Sequence, residues 1–399
     1  MNNINCTKKH VFIIGSKGIP ASYGGFETFV EKLTLNQIDT SIQYYVSCQG
    51  SKKKNQVKRY KHNKAICFPI RVPDIGSSKA VYYDWKSLNW AIHYIEKSHI
   101  KCPIIFICAC RIGPFIAINN MRMKKLGIKL VINPDGHEWL RAKWNTAIKK
   151  YWLFSERLCV KYADFLICDS INIENYILKK YKRYNPKTTF IAYGSETSKS
   201  VITDNDTKII EWYKKWKLEP KKYYVNIARL VPENNYETIV REFMASNTDK
   251  HLVIVAPLKD NKFFKHLKKQ YRFEDKSKII FVDAIYDQEL LKKIRENAYG
   301  YIHGHSVGGT NPSLLEALGT LDLNLVYDVG FNREVGENGA LYWNLESGNL
   351  KNLIEKADNM TLEQIRNLGE KAHKRISENY TWEYIATRYE YEFNKWGLK

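Results

Sequence analysis

Residues 301–319 read Tyr-Ile-His-Gly-His-Ser-Val-Gly-Gly-Thr-Asn-Pro-Ser-Leu-Leu-Glu-Ala-Leu-Gly. An apolar run at 298–302 enters a turn containing Gly304, Gly308 and Gly309, and Asn311-Pro312 then suits a helix start, with Asn as cap and Pro at the first helical position. Such a unit points unpaired backbone N–H groups and the positive end of a helix dipole at one spot, which suits an anion; a plain strand-to-helix loop with glycines needed only for tight packing is the alternative. Glu316, about one turn into the helix, could reach a hydroxyl on whatever the loop holds. A second cue is Arg229 in Ala228-Arg-Leu-Val-Pro-Glu-Asn-Asn235, a cation after an apolar strand and before a helix. Its planar fork suits phosphate oxygens. In the first half, Asn133-Pro-Asp-Gly-His-Glu-Trp139 follows a short strand at 129–132. Asp135 and Glu138 could orient a hydroxyl or take its proton, and His137 could hydrogen-bond a sugar or phosphate. A helix start with acids complementing the dipole is the plainer reading of those residues, but Asp135-Gly136 is poor helix material.

These residues need strands that end beside one another. Apolar runs at 11–15, 42–47, 65–70, 104–108, 129–132, 165–168 and 188–192 predict buried strands in the first half, separated by helical patterns such as 26–35 and 87–96. Runs at 222–227, 252–256, 279–282, 299–302 and 323–327 do the same in the second half, with a helix at 236–243. Alternation of this kind predicts two Rossmann-like α/β domains, 1–200 and 201–380, facing across a cleft. An aromatic-rich terminal helix, 381–399, is long enough to cross back onto the first domain. The polar stretch 197–207 reads as a linker.

The first strand opens into Ser16-Lys-Gly-Ile-Pro-Ala-Ser-Tyr-Gly-Gly25. This loop lacks the G-x-G-x-x-G spacing, and the second strand ends without an acid for a ribose, so a nicotinamide oxidoreductase is disfavoured. Gly18, Gly24 and Gly25 would let the backbone approach a bulky ligand closely, with a tight turn the alternative; Tyr23 beside them is an expected acceptor or sugar contact. Tyr286, in the loop after 279–282, is available to stack on a base. Asp204-Asn-Asp206 matches a metal-binding D-x-D, but it sits in a polar connector rather than after a strand, so no metal site is expected.

Of 399 residues, 33 Lys+Arg and 13 Asp+Glu fall in 1–200, leaving 30 and 29 in the rest, so nearly all of the net charge of +21 lies in the first half. That half should meet an anionic partner: a bilayer surface or nucleic acid. The basic residues are dispersed over strands, loops and the stretch 52–64, with no recognition module, which disfavours nucleic acid. Lys149-Lys-Tyr-Trp-Leu-Phe154 suits an interfacial contact, although aromatics at helical spacing also build cores. No apolar window has the length of a transmembrane helix and the N-terminus is no signal peptide, so a cytoplasmic location is expected, with reduced cysteines. The eight cysteines show no Cys-x-x-Cys spacing, which gives no ground for a metal or disulfide role.

The motifs resemble a known family. Ile14-Gly-Ser-Lys-Gly-Ile-Pro-Ala-Ser-Tyr-Gly-Gly-Phe-Glu-Thr28, Asp135-Gly136 with Glu138-Trp139, Ala228 to Asn235 and Gly304 to Leu318 are together similar to family 4 glycosyltransferases of the GT-B fold. Within them, the bacterial rhamnosyltransferases of capsule and group-carbohydrate synthesis resemble the chain over nearly its whole length. The resemblance implies a metal-independent retaining transfer without a protein nucleophile, from a nucleotide sugar, dTDP-L-rhamnose, to an undecaprenyl-diphosphate-linked sugar. It puts Arg229 and the N–H groups of Gly309 to Asn311 on the donor diphosphate, Glu316 on the ribose, Gly24-Gly25 on the diphosphate or transferred sugar, and Asp135 and Glu138 at the acceptor. It also implies an enzyme peripheral on the inner face of the cell membrane. Two positions depart from the family: its Glu eight residues before Glu316 is Gly308, and its Lys five residues after the phosphate Arg is Asn234, which is itself expected at the donor. His305, Ser306 or Lys17 could make the missing contacts. UDP-glucose, UDP-N-acetylglucosamine and GDP-mannose are the alternative donors.

Overall fold

The computed structural model describes residues 8–21, 24–50, 59–141, 144–273 and 278–395. Tyr23, Cys6 and most of the basic stretch 52–64 therefore lie outside the described residues. The chain divides into two compact units, residues 1–194 with 382–399, and residues 195–381.

The first unit is built on eight strands: β1 Lys9–Ile14, β2 Ile42–Gln49, β3 Tyr60–His62, β4 Ala65–Ile70, β5 Pro103–Cys108, β6 Lys129–Asn133, β7 Phe165–Cys168 and β8 Thr188–Phe190. Their order is β3-β4-β2-β1-β5-β6-β7-β8, parallel throughout except for β3. The central strands β1 and β5 are apolar on both faces because helices cover both sides, so they read as continuous Val/Ile/Phe runs. Strand order reverses between β1 and β5, which pair in register from His10 with Pro103 to Ile14 with Ile107. At that point Gly15 turns with φ of +99°, and a Cβ there would lie 2.2 Å from the Cys108 carbonyl oxygen. Only glycine permits that approach.

The helix Trp382–Lys395 belongs to this unit. Its Glu390 carboxylate accepts from the backbone N–H groups of Ile38 and Asp39, both at 2.9 Å, and Tyr389 packs on Phe29 with ring centroids 5.0 Å apart.

The second unit has six parallel strands: β9 Tyr223–Ile227, β10 His251–Val255, β11 Ile279–Val282, β12 Gly300–His303, β13 Asn324–Tyr327 and β14 Leu341–Trp343. Their order is β11-β10-β9-β12-β13-β14, so the reversal falls between β9 and β12. A buried polar ladder ties these two strands: Tyr236 Oη donates to Asn226 Oδ1 at 2.7 Å, and Asn226 Nδ2 donates to the Ile302 oxygen at 2.6 Å. The stretch read as a linker packs on this unit, where the Ser200 N–H bonds Glu296 and the Val201 N–H bonds Glu289.

Three differences from the sequence reading have physical causes. The helix covering β4 begins at Lys79 rather than 87: Val81, Tyr83 and Trp85 also pack on the core, but the polar Asp84 and Ser87 are buried on the same helix and interrupt its apolar pattern. The edge strand β3 lies in basic sequence, and only antiparallel pairing with β4 reveals it. Six cysteines are free and buried, but Cys102 is disulfide-bonded, against the expectation of reduced thiols throughout. The spacing argument tests only pairs close in sequence.

Candidate functional site

In open α/β sheets, ligands bind beyond the carboxyl ends of strands where strand order reverses. The second unit puts Arg229 after β9 and the 304–311 loop after β12, at that reversal. The helix Pro312–Thr320 starts as the sequence predicts: the Asn311 side chain accepts from the N–H groups of Ser313 at 2.9 Å and Leu314 at 3.3 Å. The first turn is tied to the strands below it. Ser313 Oγ donates to the Ile227 oxygen at 2.7 Å and lies 2.8 Å from Tyr301 Oη.

The two loops are zipped together. Asn235 Nδ2 donates to the Gly304 oxygen at 2.9 Å, and Ser306 donates from both N and Oγ to the Glu233 oxygen. Asn234 is buried and bridges them: Nδ2 donates to the Arg229 oxygen at 2.7 Å, and Oδ1 meets His305 Nδ1 at 2.7 Å. With the amide oriented by Arg229, its oxygen faces His305, which puts the imidazole proton on Nδ1. Asn234, expected at the donor, is thus engaged in joining the loops. Gly308 has a φ of +143°, and a Cβ there would lie 2.9 Å from His305 Nε2. The imidazole therefore stands against the position from which a side chain at residue 308 would extend.

Gly309 and Thr310 are buried, Arg229 and Tyr286 are exposed, and no ion pair among the described residues involves Arg229. Glu316 is not free. Its Oε2 lies 2.5 Å from the guanidinium of Arg295, whose side chain is 3% exposed against 34% for Glu316. Nothing in the sequence flagged Arg295 as a partner. Asp204 and Asp206 have other occupations: Asp204 pairs with Lys293 at 2.9 Å and Asp206 caps the helix Thr207–Trp216.

In the first unit, the reversal between β1 and β5 gathers Gly15, Glu27, Asp84 and Arg111, while Gly18 lies against Cys48 of β2. The glycine loop is folded around a carboxylate of its own. Glu27, buried, accepts from the Lys17 N–H at 2.7 Å, and a Cβ on Gly24 would lie 1.9 Å from its other oxygen. An internal anion thus fills part of the loop expected to approach the donor; Gly25 has open space around it. Arg111 donates to Asp84 Oδ2 at 2.7 Å and to the Gly15 oxygen at 3.0 Å. Complete burial pushes the Asp84 carboxyl up to about 6, with Arg111 opposing.

Asp135 sits just past β6 in a left-handed conformation, φ +60°, with its N–H on Asn133 Oδ1 at 2.8 Å. Burial raises its pKa, with Arg141 opposing and Glu138 reinforcing. Glu138 is clamped by Arg141 and accepts from Trp144 Nε1 at 3.1 Å. His137 packs edge-on against Tyr176 at 4.3 Å, and burial lowers its pKa below the usual imidazole value. A buried carboxyl that holds its proton more readily than usual, beside a second carboxyl fixed in place by Arg141 and Trp144, is an arrangement able to orient a hydroxyl. Glu27, Asp84 and Arg111 escaped sequence reading, since each lies inside a helical or loop pattern that explains it without a ligand.

Comparisons agree with this architecture. Residues 8–196 match the model of a family described as a domain of unknown function, DUF1972. No curated protein sequence matches the chain. The fold is GT-B, two α/β units, the first on a sheet parallel except for β3 and the second on a parallel sheet, as the solved structures show. A sucrose-phosphate synthase from Thermosynechococcus elongatus superposes with a TM-score of 0.77 at 16% identity, covering 97% of this chain and 98% of that one. An α,α-trehalose-phosphate synthase (UDP-forming) from Burkholderia xenovorans, in complex with glucose-6-phosphate, gives 0.71 at 11%, covering 97% and 100%. Anabaena HepE in complex with UDP and glucose gives 0.68 at 13%, covering 97% and 99%.

Proposed function

We propose that this chain is a retaining glycosyltransferase that moves L-rhamnose from dTDP-L-rhamnose to an undecaprenyl-diphosphate-linked sugar in cell-surface polysaccharide synthesis. The observation that carries the reading is the second unit's reversal point, where a capped helix N-terminus and the Arg229 loop lie on the two central strands. In this reading Arg229 and the N–H groups of Gly309, Thr310 and Asn311 take the diphosphate, Glu316 a ribose hydroxyl and Tyr286 the base. Gly18, Gly24, Gly25 and Tyr23 approach the donor or transferred sugar, and His305 and Ser306 meet the sugar. Asp135, Glu138 and His137 position the acceptor. As the sugar–oxygen bond breaks, the departing diphosphate takes the proton of the attacking hydroxyl on the same face, and the growing charge on that diphosphate is what the protein stabilises.

The UDP named for the trehalose-phosphate synthase and HepE favours a second reading, a related transferase with a UDP-sugar donor. A thermal-shift panel with dTDP, UDP, GDP and a short DNA duplex separates them. Stabilisation by dTDP alone supports the rhamnosyl donor, response to UDP or GDP moves the donor, and response to DNA alone defeats the enzyme reading.

The proposed location is the inner face of the cell membrane. No described helix is long and apolar enough to cross a membrane. Tyr151, expected at an interface, turns inward and donates from Oη to the Arg111 oxygen at 2.8 Å; Phe154 on the same helix is exposed. The adjacent helix Gly113–Lys125 exposes Ile118 and Met121, at 77% and 72%, beside Arg122, Lys124 and Lys125. Exposed apolar side chains on a helix ending in Lys124 and Lys125 suit an anionic leaflet, at about 1 kcal/mol per well-placed basic residue; Arg122 is already paired with Glu96. The protein is expected to float with vesicles containing phosphatidylglycerol at low salt, and Ile118→Asp with Met121→Asp to cut the bound fraction several-fold. Wild-type protein left wholly in the unbound fraction would count against this surface.

A further inference from the structure

His303 ends β12 at the reversal point and is 1% exposed. Neither of its ring nitrogens has a hydrogen-bond partner among the described residues. A neutral imidazole always carries one N–H, and a buried N–H left unmade is costly enough that native proteins rarely keep one without use. The position of this one is informative. Along a strand, residues two apart share a face, and Tyr301 and His303 stack with ring centroids 5.8 Å apart. Tyr301 reaches Ser313 in the first turn of the helix Pro312–Thr320. His303 is one rung nearer the carboxyl edge on that face, with the His305 ring 6.1 Å beyond it. Its ring thus lies on the face of β12 that leads to the helix N-terminus, buried between Tyr301 and His305.

We propose that His303 donates a hydrogen bond to the diphosphate held at the N-terminus of the helix Pro312–Thr320. This rests on the nucleotide-sugar reading above and adds to it a donor that no motif assigned. Burial, reinforced by His305, drives the imidazole's pKa well below its ordinary value, so the donor stays uncharged. A neutral donor adds a directed contact to the leaving diphosphate without adding a further fixed positive charge that would slow its release.

Calorimetric titration of dTDP and UDP into wild type, His303→Phe and His303→Gln tests this. Phe keeps a ring and removes the unmade hydrogen bond, so His303→Phe should melt no lower than wild type while binding the preferred nucleotide roughly tenfold more weakly. Gln restores a donor and should bind within about threefold of wild type. A folded His303→Phe that binds as tightly as wild type overturns the proposal, as does a folded His303→Gln as weak as Phe. Should the Phe variant fail to fold, the imidazole ¹⁵N resonances of His303 in wild type decide: they move on adding nucleotide, and unmoved resonances at saturation overturn it. Wild type that binds none of dTDP, UDP and GDP, the last titrated in the same way, defeats the nucleotide reading itself, a result distinct from equal binding by wild type and Phe.

Discussion

Replacing Glu316 by Ala is expected to destabilise the second unit before it reveals anything about nucleotide binding. Arg295 is 2% exposed, and Glu316 is its ion-pair partner at 2.5 Å. Its Nε already lacks a hydrogen-bond partner among the described residues. Taking the carboxylate away leaves a buried guanidinium uncompensated, which costs about 3–5 kcal/mol. A loss of activity in Glu316→Ala would then mix unfolding with a lost contact. The double variant Glu316→Leu with Arg295→Met separates them, because removing both charges and keeping apolar volume is often neutral. Urea unfolding should show a large loss for Glu316→Ala and recovery of most of it in the double variant. The recovered protein should still bind dTDP more weakly by about 1.5–3 kcal/mol, the value of a hydrogen bond to a charged group. A folded double variant with wild-type affinity would remove Glu316 from the donor site.

The same pair shows where sequence reading stops. The central strands were legible because a parallel strand covered on both faces must be apolar at every position, and 11–14, 104–108 and 252–255 are. The helix start at Asn311-Pro312 was legible because capping chemistry is local. Arg295 was not, since it lies among Lys292 and Lys293 on a helix whose charged residues suggest a solvated face. Only tertiary packing shows that Lys293 and Arg295 are buried and that their partners come from elsewhere in the chain. Asp84 is a parallel case, fully buried within the helix Lys79–Lys97 and meeting Arg111 from the loop after β5. Glu27 reads as an ordinary first-turn acid, and its contact with the Lys17 N–H depends on how the preceding loop folds back.

The missing acid at Gly308 and the missing Lys at Asn234 looked independent in the sequence. They are not. Asn234 Oδ1 fixes His305, and His305 Nε2 stands where a Cβ on residue 308 would press. A larger residue at 308 would have to displace that ring and adopt a positive φ, so the glycine and the His305–Asn234 bond form one arrangement. Linkage of this kind requires the two loops to be zipped side by side, which spacing along the chain does not express.

Arg229→Ala is expected to abolish most turnover while leaving the fold intact. The guanidinium is exposed and takes part in no ion pair among the described residues, and its loop is held by other means. The Ala228 N–H bonds the Val255 oxygen, and the Arg229 oxygen accepts from Asn234. Trimming the side chain therefore removes a charge from the site without removing a structural contact. Charge on the departing diphosphate grows as the sugar–oxygen bond breaks, so a cation there contributes more to the transition state than to donor binding. The loss should appear in kcat at saturating donor, about 10²-fold or more, with a smaller change in KM and an unchanged melting temperature. Arg229→Lys should recover part of it, because an ammonium restores charge but not the paired geometry of the guanidinium. Near-normal kcat in Arg229→Ala would place the leaving-group charge elsewhere, on the helix N-terminus alone. A rise in KM with kcat unchanged would make Arg229 a binding contact rather than a catalytic one.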